Sequence, residues 1–349
     1  MMDALYDHGT PLIAAQHQPA LLLDYLQSLD VDPGPVWADS GLGDARLRNN
    51  PQPLTPAQYL ALLRSAARCL ASPDTSFMLG QQALPGHFGA ASHALLRAPD
   101  LRRTLELIIA HPARLSPLLV PHWVQEPQHA VLYWTDACGA GPLKPFLVEM
   151  HMSAVASLCQ WRAGARLPWR FCFNRTAPRH TEQHQVHLGT NLNFGCQLDA
   201  MLIAPEWLDR PWPAAPGGSL TASSAMLESL ARQACDEEPR HSLLGALYRY
   251  LLERVRVAPG LEQTAQHFGV SPATLKRRLA AQGTHFQAEL DQVRAHVALQ
   301  LYQGRGFDNE QVARHLGFHD TANFRRSFKR WTGLTPRSLR DSLDPPLPA

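Results

Sequence analysis

The sequence predicts an α+β N-terminal domain, followed by an all-α C-terminal domain with two helix-turn-helix units joined by a linker helix. Three observations support this fold class. The first half of the chain mixes helical and strand periodicities, whereas only helical patterns follow residue 240. A proline- and glycine-rich segment lies between the two parts. Within the helical part, two stretches repeat one arrangement of small, capping, apolar and basic residues.

The predicted N-terminal domain covers residues 1–210. Thr55 begins a helical pattern that runs to Leu70, and Asp100 begins another, because Thr and Asp are residues that cap helix N-termini. A third helix is predicted over 143–160. Short apolar or alternating runs predict strands at 131–134, 169–174 and 201–204.

A linker with a connecting helix is predicted over 211–240. Residues 211–219 contain three prolines and two glycines, which disfavour both a helix and a central strand. The double helix-turn-helix domain is predicted over 241–342, and residues 343–349 form a short tail. At 349 residues, the chain is long enough to build two hydrophobic cores.

Charge is distributed unevenly along the chain. Residues 261–340 contain twelve Lys or Arg and six Asp or Glu, a net charge of +6. Because the whole chain carries only +2, the remainder is at −4. A basic end on an acidic body is expected when one domain must neutralise phosphates and the other must not.

The cysteines and the apolar segments predict a cytoplasmic protein. No Cys-x-x-Cys pair and no disulfide framework is present, which fits a reducing compartment. The first ten residues lack the basic start and apolar run of a signal peptide. No stretch approaches the ~20 apolar residues that a membrane span requires. The cysteines are Cys69, Cys138, Cys159, Cys172, Cys196 and Cys235.

Two stretches of the helical part, 263–279 and 311–328, share one physical design. In each, a small alanine lets two helices cross closely, a glycine favours the positive φ of the turn, and a Ser or Asp caps the next helix. Apolar residues of that helix then face the core. The residues in these structural roles are Ala265, Gly269, Ser271 and Leu275 in the first unit, and Ala313, Gly317, Asp320, Phe324 and Phe328 in the second.

The opposite face of each capped helix is basic, with Lys276 and Arg277 in the first and Arg325 and Arg326 in the second. A short helix that is apolar inside and cationic outside suits the major groove of DNA. Between the units, residues 286–301 form one predicted helix. That helix would fix the two basic helices about one turn of DNA apart, ~34 Å.

The second unit and its continuation contain Val312-Ala-x-x-Leu-Gly-Phe318 and Phe328-Lys-Arg-Trp-Thr-Gly333. The first unit contains Ser271-Pro-x-Thr-Leu-x-Arg-Arg-Leu279, followed by Leu290-Asp-x-Val-Arg294. These motifs strongly resemble the AraC/XylS family of transcription regulators, and specifically the subgroup with an arabinose-binding-type N-terminal domain. The specific resemblance covers about 241–342, and a fainter one extends into 20–210.

The resemblance implies that DNA is contacted from the exposed early turns of each second helix. Ala273 and Ala322 are small where larger polar residues can occur, so they offer only apolar contact to a thymine methyl group. Asp320 lies near the DNA backbone and is interpreted as a cap. The resemblance assigns base reading to Ala273, Lys276, Arg277, Thr321, Ala322 and Arg326, and phosphate contacts to Thr274, Arg325, Lys329 and Arg330.

The resemblance also implies the partners of the protein. An N-terminal domain of this subgroup senses a small molecule or mediates dimerisation. The expected partners are therefore promoter DNA, RNA polymerase, an effector of unknown identity and a second copy of the chain. The resemblance also implies that the protein activates transcription of nearby genes. No cofactor and no metal is predicted, and the ligand-binding residues stay unassigned.

Three clusters in the N-terminal domain have alternative interpretations. His180, His184 and His187 could place imidazoles on one helix face as metal ligands, although no Cys or acid at ligand spacing supports them. Cys138 follows a predicted strand and could be a nucleophile on a tight turn, although a plain turn is favoured. Five aromatic residues could line an effector pocket or simply form the core: Trp134, Trp161, Trp169, Phe171 and Phe173.

A different class of function also fits a DNA-binding C-terminal domain. The chain could be a DNA-targeted enzyme, for example in alkylation repair, that uses the double helix-turn-helix only to locate DNA. Such an enzyme needs a reactive cysteine in a basic, exposed setting or a catalytic acid in a nucleotide-flipping pocket. The cysteines lie mostly among apolar residues, so the sequence favours a regulator without enzymatic activity.

Overall fold

The computed structural model of the chain describes residues 4–40, 52–84, 86, 90–213 and 240–336. One compact unit lies within residues 3–243 and the other within residues 244–349. Most of the predicted linker, residues 214–239, lies outside the described residues, and so does the predicted tail. Among the described residues, no helix combines the length and apolar character needed to cross a membrane.

Two helices of the N-terminal unit begin at the capping residues from which their starts were predicted, Thr55 and Asp100. Thr55 accepts the Gln58 backbone N–H at 3.2 Å, and the Gln58 side chain accepts the Thr55 N–H at 2.9 Å, which is a reciprocal capping box. Asp100 accepts the Arg103 N–H at 2.8 Å. The helices are α1 (Gln18–Ser28), α2 (Gly34–Ser40), α3 (Pro56–Leu70), α4 (Thr75–Ala83), α5 (Ala90–Arg97), α6 (Leu101–Ala110), α7 (Pro112–Leu115), α8 (Lys144–Ala163) and α9 (Glu182–Leu188).

A five-stranded sheet completes this unit, in the order β1-β2-β5-β3-β4. All neighbours pair antiparallel except β3 and β4, which are parallel. The strand predictions at 131–134, 169–174 and 201–204 are confirmed as β2, β3 and β5, and the mixed α+β character of the domain with them. The strands are β1 (Leu119–Gln125), β2 (Ala130–Asp136), β3 (Arg170–Phe173), β4 (Leu192–Phe194) and β5 (Ala200–Ile203).

The sequence patterns did not predict β1 and β4. Pro121 lies in the middle of β1, and proline argues against a central strand because it cannot donate a ladder hydrogen bond. In the structure β1 is an edge strand, where a missing donor is tolerated. β4 has only three residues, which is too short for a period of two to be recognised.

Helix α8 is the long central element of the N-terminal unit, and it packs closely against α4. The predicted helix over 143–160 is confirmed, and it extends to Ala163. Gly80 of α4 makes the close approach possible, because a Cβ atom at this position would lie 2.3 Å from the Met150 carbonyl oxygen. Ser153 of α8 also donates a hydrogen bond to the Phe77 carbonyl at 2.9 Å.

The described residues of the C-terminal unit form helices and the turns between them, with no strand, as predicted. The predicted connecting run is one continuous helix, α13, which separates the two repeats. Arg294 of α13 lies 5.4 Å from the ring centre of Phe318 and 6.0 Å from that of Trp331, so it ties this helix to the second repeat. The helices are α10 (Leu243–Glu253), α11 (Leu261–His267), α12 (Pro272–Ala281), α13 (Phe286–Arg305), α14 (Asn309–His315) and α15 (Thr321–Thr332).

Candidate nucleic-acid interface

The first helix-turn-helix unit consists of α11 and α12. Ala265 is fully buried where the two helices meet. Gly269 has a φ of +71° in the turn, a value that favours glycine. The Ser271 hydroxyl accepts the Thr274 N–H at 3.1 Å and so caps α12. Leu275 of α12 is fully buried, and its next turn buries a second leucine.

The second unit, α14 and α15, repeats this arrangement. Ala313 is buried, and Gly317 has a φ of +76°. Gly317 also lies against the chain that follows α10, since a Cβ atom here would lie 2.4 Å from the Arg256 carbonyl oxygen. Asp320 accepts the Asn323 N–H at 2.7 Å and caps α15. Phe324 and Phe328 of α15 are fully buried.

The outer faces of α12 and α15 carry the residues that the resemblance assigns to DNA. Burying apolar residues on one face leaves the basic residues on the other. Thr274 and Thr321 are half-buried at the starts of their helices. The exposed residues are Ala273, Lys276 and Arg277 on α12, and Ala322, Arg325, Arg326, Lys329 and Arg330 on α15.

Asn323 is part of this surface, although the sequence patterns did not single it out. Its amide donates to Asp320, and its side-chain oxygen accepts from the Arg326 guanidinium. Asp320, which caps the helix, therefore also orients Arg326 through Asn323. The signal that could have identified Asn323 is its spacing of three residues from both Asp320 and Arg326, which puts all three on neighbouring turns.

Two residues that the resemblance assigns to phosphate have partners within the C-terminal unit. The Thr274 hydroxyl lies 2.9 Å from the Ser271 hydroxyl. Arg330 donates to Asp291 of α13 at 3.1 Å, and the Arg330 side chain is 64% exposed. The Asp291 side chain is only 18% exposed, but the exposed guanidinium of Arg330 can be reached by a phosphate from solution.

The three histidines that were candidates for a metal site do not form a common set of ligands. His180 is exposed, whereas Nε2 of His184 lies 3.1 Å from Glu149 and 2.9 Å from Arg175. His187 uses both ring nitrogens, one towards Asp74 and one towards Gln81. Among the described residues, no three His, Cys, Asp or Glu side chains could hold a metal ion together.

Cys138 lies in a setting that disfavours nucleophilic chemistry. The residue is buried, and its thiol faces the carbonyl oxygens of Pro117 at 3.7 Å and Leu118 at 3.9 Å. Burial raises the pKa of the Cys138 thiol well above its usual value, and the nearby Asp136 raises it further. Because the thiolate is the nucleophile, a raised pKa disfavours nucleophilic attack by this thiol.

The aromatic residues proposed as pocket lining divide between three environments. Trp134 lines a cavity of the N-terminal unit, which is formed mainly by helices. Trp161 is 62% exposed. Trp169, Phe171 and Phe173 belong to the buried core and not to the lining of this cavity. Of the five aromatic residues that were candidates for pocket lining, one, Trp134, therefore lines this cavity.

Two capped, basic helix-turn-helix units on a helical scaffold, together with an α+β domain, define a DNA-binding transcription regulator. A family model described as the arabinose-binding domain of AraC transcription regulators matches residues 31–212. A helix-turn-helix domain model matches residues 264–342. The chain belongs to the AraC family of transcription regulators with an arabinose-binding-type N-terminal domain.

The chain is also similar to individual proteins. The ornithine utilization regulator of Pseudomonas aeruginosa is 27% identical over 282 residues, which cover 80% of this chain and 82% of that protein. The regulator VqsM of the same species is 32% identical over 85 residues, 24% of this chain and 26% of that protein. The crystal structure of the P. aeruginosa regulator CdpR aligns with 93% of this chain and 98% of that chain, at 20% identity and a TM-score of 0.41.

Proposed function

We propose that the protein activates transcription by placing α12 and α15 in the major groove of promoter DNA. The observation that carries this proposal is the two-sided character of both helices, each apolar towards its unit and basic towards solvent. In this proposal the bases are read by Ala273, Lys276, Arg277, Thr321, Ala322 and Arg326, and phosphates are bound by Thr274, Arg325, Lys329 and Arg330.

The remaining parts of the chain have regulatory roles in this proposal. Residues 1–210 sense the effector and mediate dimerisation, residues 211–240 form the linker, and residues 241–342 bind DNA. RNA polymerase is a further partner of the protein. The protein acts in the cytoplasm. The effector must bind the DNA-competent and DNA-incompetent states with unequal affinity, because a ligand of equal affinity for both states shifts nothing.

Arg326→Ala is the mutation that tests base reading. Asn323 holds the Arg326 guanidinium in place, which favours a bidentate contact to a guanine. We expect the variant to lose ~1–3 kcal/mol of specific binding and to relax the preference at one base pair. The measurement is footprinting of the full chain on promoter fragments chosen by genome-wide mapping of its bound sites.

Arg254→Ala is the matched control for this experiment. Arg254 is a partly exposed arginine of the same unit that lies outside both second helices and pairs with Glu253. The control removes the same charge, so it should leave the base preference unchanged. Equal protection of the promoter by Arg326→Ala and by the parent protein would contradict the base-reading role.

The protein catalyses no reaction in this proposal. The buried, protonated thiol of Cys138 supports it, as does burial of Cys159, which raises the pKa of that thiol to about 12. Incubation with alkylated DNA tests the enzyme alternative directly. Transfer of a methyl group to the protein would favour the DNA-targeted enzyme over the regulator.

A further inference from the structure

The N-terminal unit contains a cavity between α1, α3, α4, α6, α8 and the segment that leads into β1. It encloses about 660 Å³ of space not occupied by atoms, part of which is open to solvent. Most of the lining is apolar and includes Leu21, Leu79, Ile108, Leu118, Trp134 and Val155.

None of the residues that line the cavity is an aspartate, glutamate, lysine or arginine. Two of its polar side chains are already engaged. Gln18 donates to the Arg114 carbonyl at 2.6 Å, and the Ser116 hydroxyl donates to the Leu119 carbonyl at 2.5 Å. Besides the indole of Trp134, whose N–H is a donor, Tyr59 and His151 are the other polar side chains of the lining. Each has one atom for which the described residues supply no hydrogen-bond partner, the Tyr59 hydroxyl and Nε2 of His151.

His151 presents a hydrogen-bond acceptor to the cavity. Its Nδ1 lies 2.7 Å from the Leu147 carbonyl oxygen, which requires the proton of the neutral ring to be on Nδ1. Burial lowers the pKa of His151 to about 4, so the imidazole is neutral at pH 7 and Nε2 carries a lone pair. Burial also raises the pKa of Tyr59, which keeps that hydroxyl neutral.

The chemistry of the lining restricts the ligand. A charged ligand would lose its hydration on entering the cavity, and no charged side chain of the lining would compensate for that loss. A sugar would bring several hydroxyl groups that would find no hydrogen-bond partners. An apolar body would replace water against the aliphatic and aromatic lining. A single O–H group could donate to Nε2 of His151, whereas a carbonyl or ether oxygen could not.

We infer that the effector bound in this cavity is an uncharged, largely apolar molecule with one hydroxyl group, that is, a hydrophobic alcohol or phenol. This inference rests on the proposed effector-sensing role of the N-terminal domain and adds the chemical class of the ligand. The residues of the site include His151 and Tyr59 as its polar end and Ala154 and Trp134 in its walls.

Calorimetric titration of the full chain with 1-octanol at pH 7.5 tests the ligand class. Three compounds of similar length serve as comparisons: octanoate and octylammonium change the charge, and 1-methoxyheptane is an isomer of octanol without a donor. We expect octanol to bind at least about tenfold more tightly than either ion and about fivefold more tightly than the ether, consistent with ~1 kcal/mol for one hydrogen bond. A pentose should give no heat of binding.

Variants locate the site. Ala154→Leu adds bulk to the cavity wall and should weaken octanol binding at least tenfold, and Ala83→Leu on α4 should do the same from another side. Gln160→Leu is the matched control, because it places the same side chain at an exposed position of α8. His151→Leu should abolish the preference for octanol over the ether.

Each result supports or contradicts a defined claim. Absence of octanol binding, equal binding of an ion or the pentose, or unchanged binding to folded Ala154→Leu and Ala83→Leu would overturn the inference. If octanol binds as expected but does not change the DNA footprint of the parent protein, the ligand class stands and the proposed effector-sensing role fails.

Discussion

Replacing Gly317 with alanine is expected to lower the free energy of unfolding of the C-terminal unit by about 2–6 kcal/mol. Two penalties combine at this position. The φ of +76° is strained for any residue with a Cβ atom, and that atom would lie 2.4 Å from the Arg256 carbonyl oxygen. Because the clash involves backbone, a side-chain rotation cannot relieve it. Circular dichroism during thermal denaturation measures the loss, and promoter footprinting should show no specific protection.

Gly269→Ala is the matched control, since Gly269 occupies the same position in the first repeat. Its φ is +71°, but no atom lies within 4 Å of the added Cβ. Only the backbone strain remains, so we expect a loss of ~1 kcal/mol. Equal destabilisation by the two variants would show that strain alone, and not the contact with Arg256, makes glycine necessary in the second turn.

Gly80→Ala is expected to destabilise the N-terminal unit by about 3 kcal/mol. In an exposed helix the same change would stabilise by ~1 kcal/mol, because alanine has the higher helix propensity. At Gly80 packing makes the same change destabilising, because the new Cβ atom would lie 2.3 Å from the Met150 carbonyl oxygen and 2.8 Å from the Ser153 Cβ. Helices α4 and α8 must then separate, and both helices contribute to the cavity wall.

Thermal denaturation of the full chain measures the effect of Gly80→Ala, and octanol titration reports whether the cavity survives. Gln82→Ala on the same helix is the control, because Gln82 is exposed and its replacement should change stability by less than about 0.5 kcal/mol. A Gly80→Ala protein as stable as the parent would mean that α4 and α8 are not packed as closely as the structure shows.

The secondary structure that could be predicted from the sequence is the part with strong local signals. The helix that starts at Thr55 has a capping box, and the repeats combine a capping residue, a glycine and apolar residues at helical spacing. β1 was missed because the penalty for Pro121 depends on whether the strand is central or at an edge. That distinction exists only after the sheet has assembled.

In the candidate sites, too, some residues could be predicted from local sequence signals, whereas the roles of others depend on the folded structure. The exposed basic residues of α12 and α15 were predictable, because helical periodicity determines which residues face the core. Asn323 was missed because its role depends on a side-chain geometry that bridges Asp320 and Arg326. Apart from Trp134, the lining of the cavity was missed because it comes from residues between 18 and 155, most of which look like ordinary core residues in the sequence.

The ion pair between Arg330 and Asp291 affects how salt titrations of DNA binding should be read. Binding of lysines and arginines to phosphates releases counterions, and the slope of log affinity against log salt measures the net release. In the proposed DNA complex Arg330 turns towards a phosphate. Asp291 then keeps its hydrogen bond from the Gln287 amide at 2.7 Å but loses the ion pair with Arg330, so its carboxylate attracts a cation from solution. That uptake offsets part of the release, so the slope will understate the number of phosphates that this protein touches.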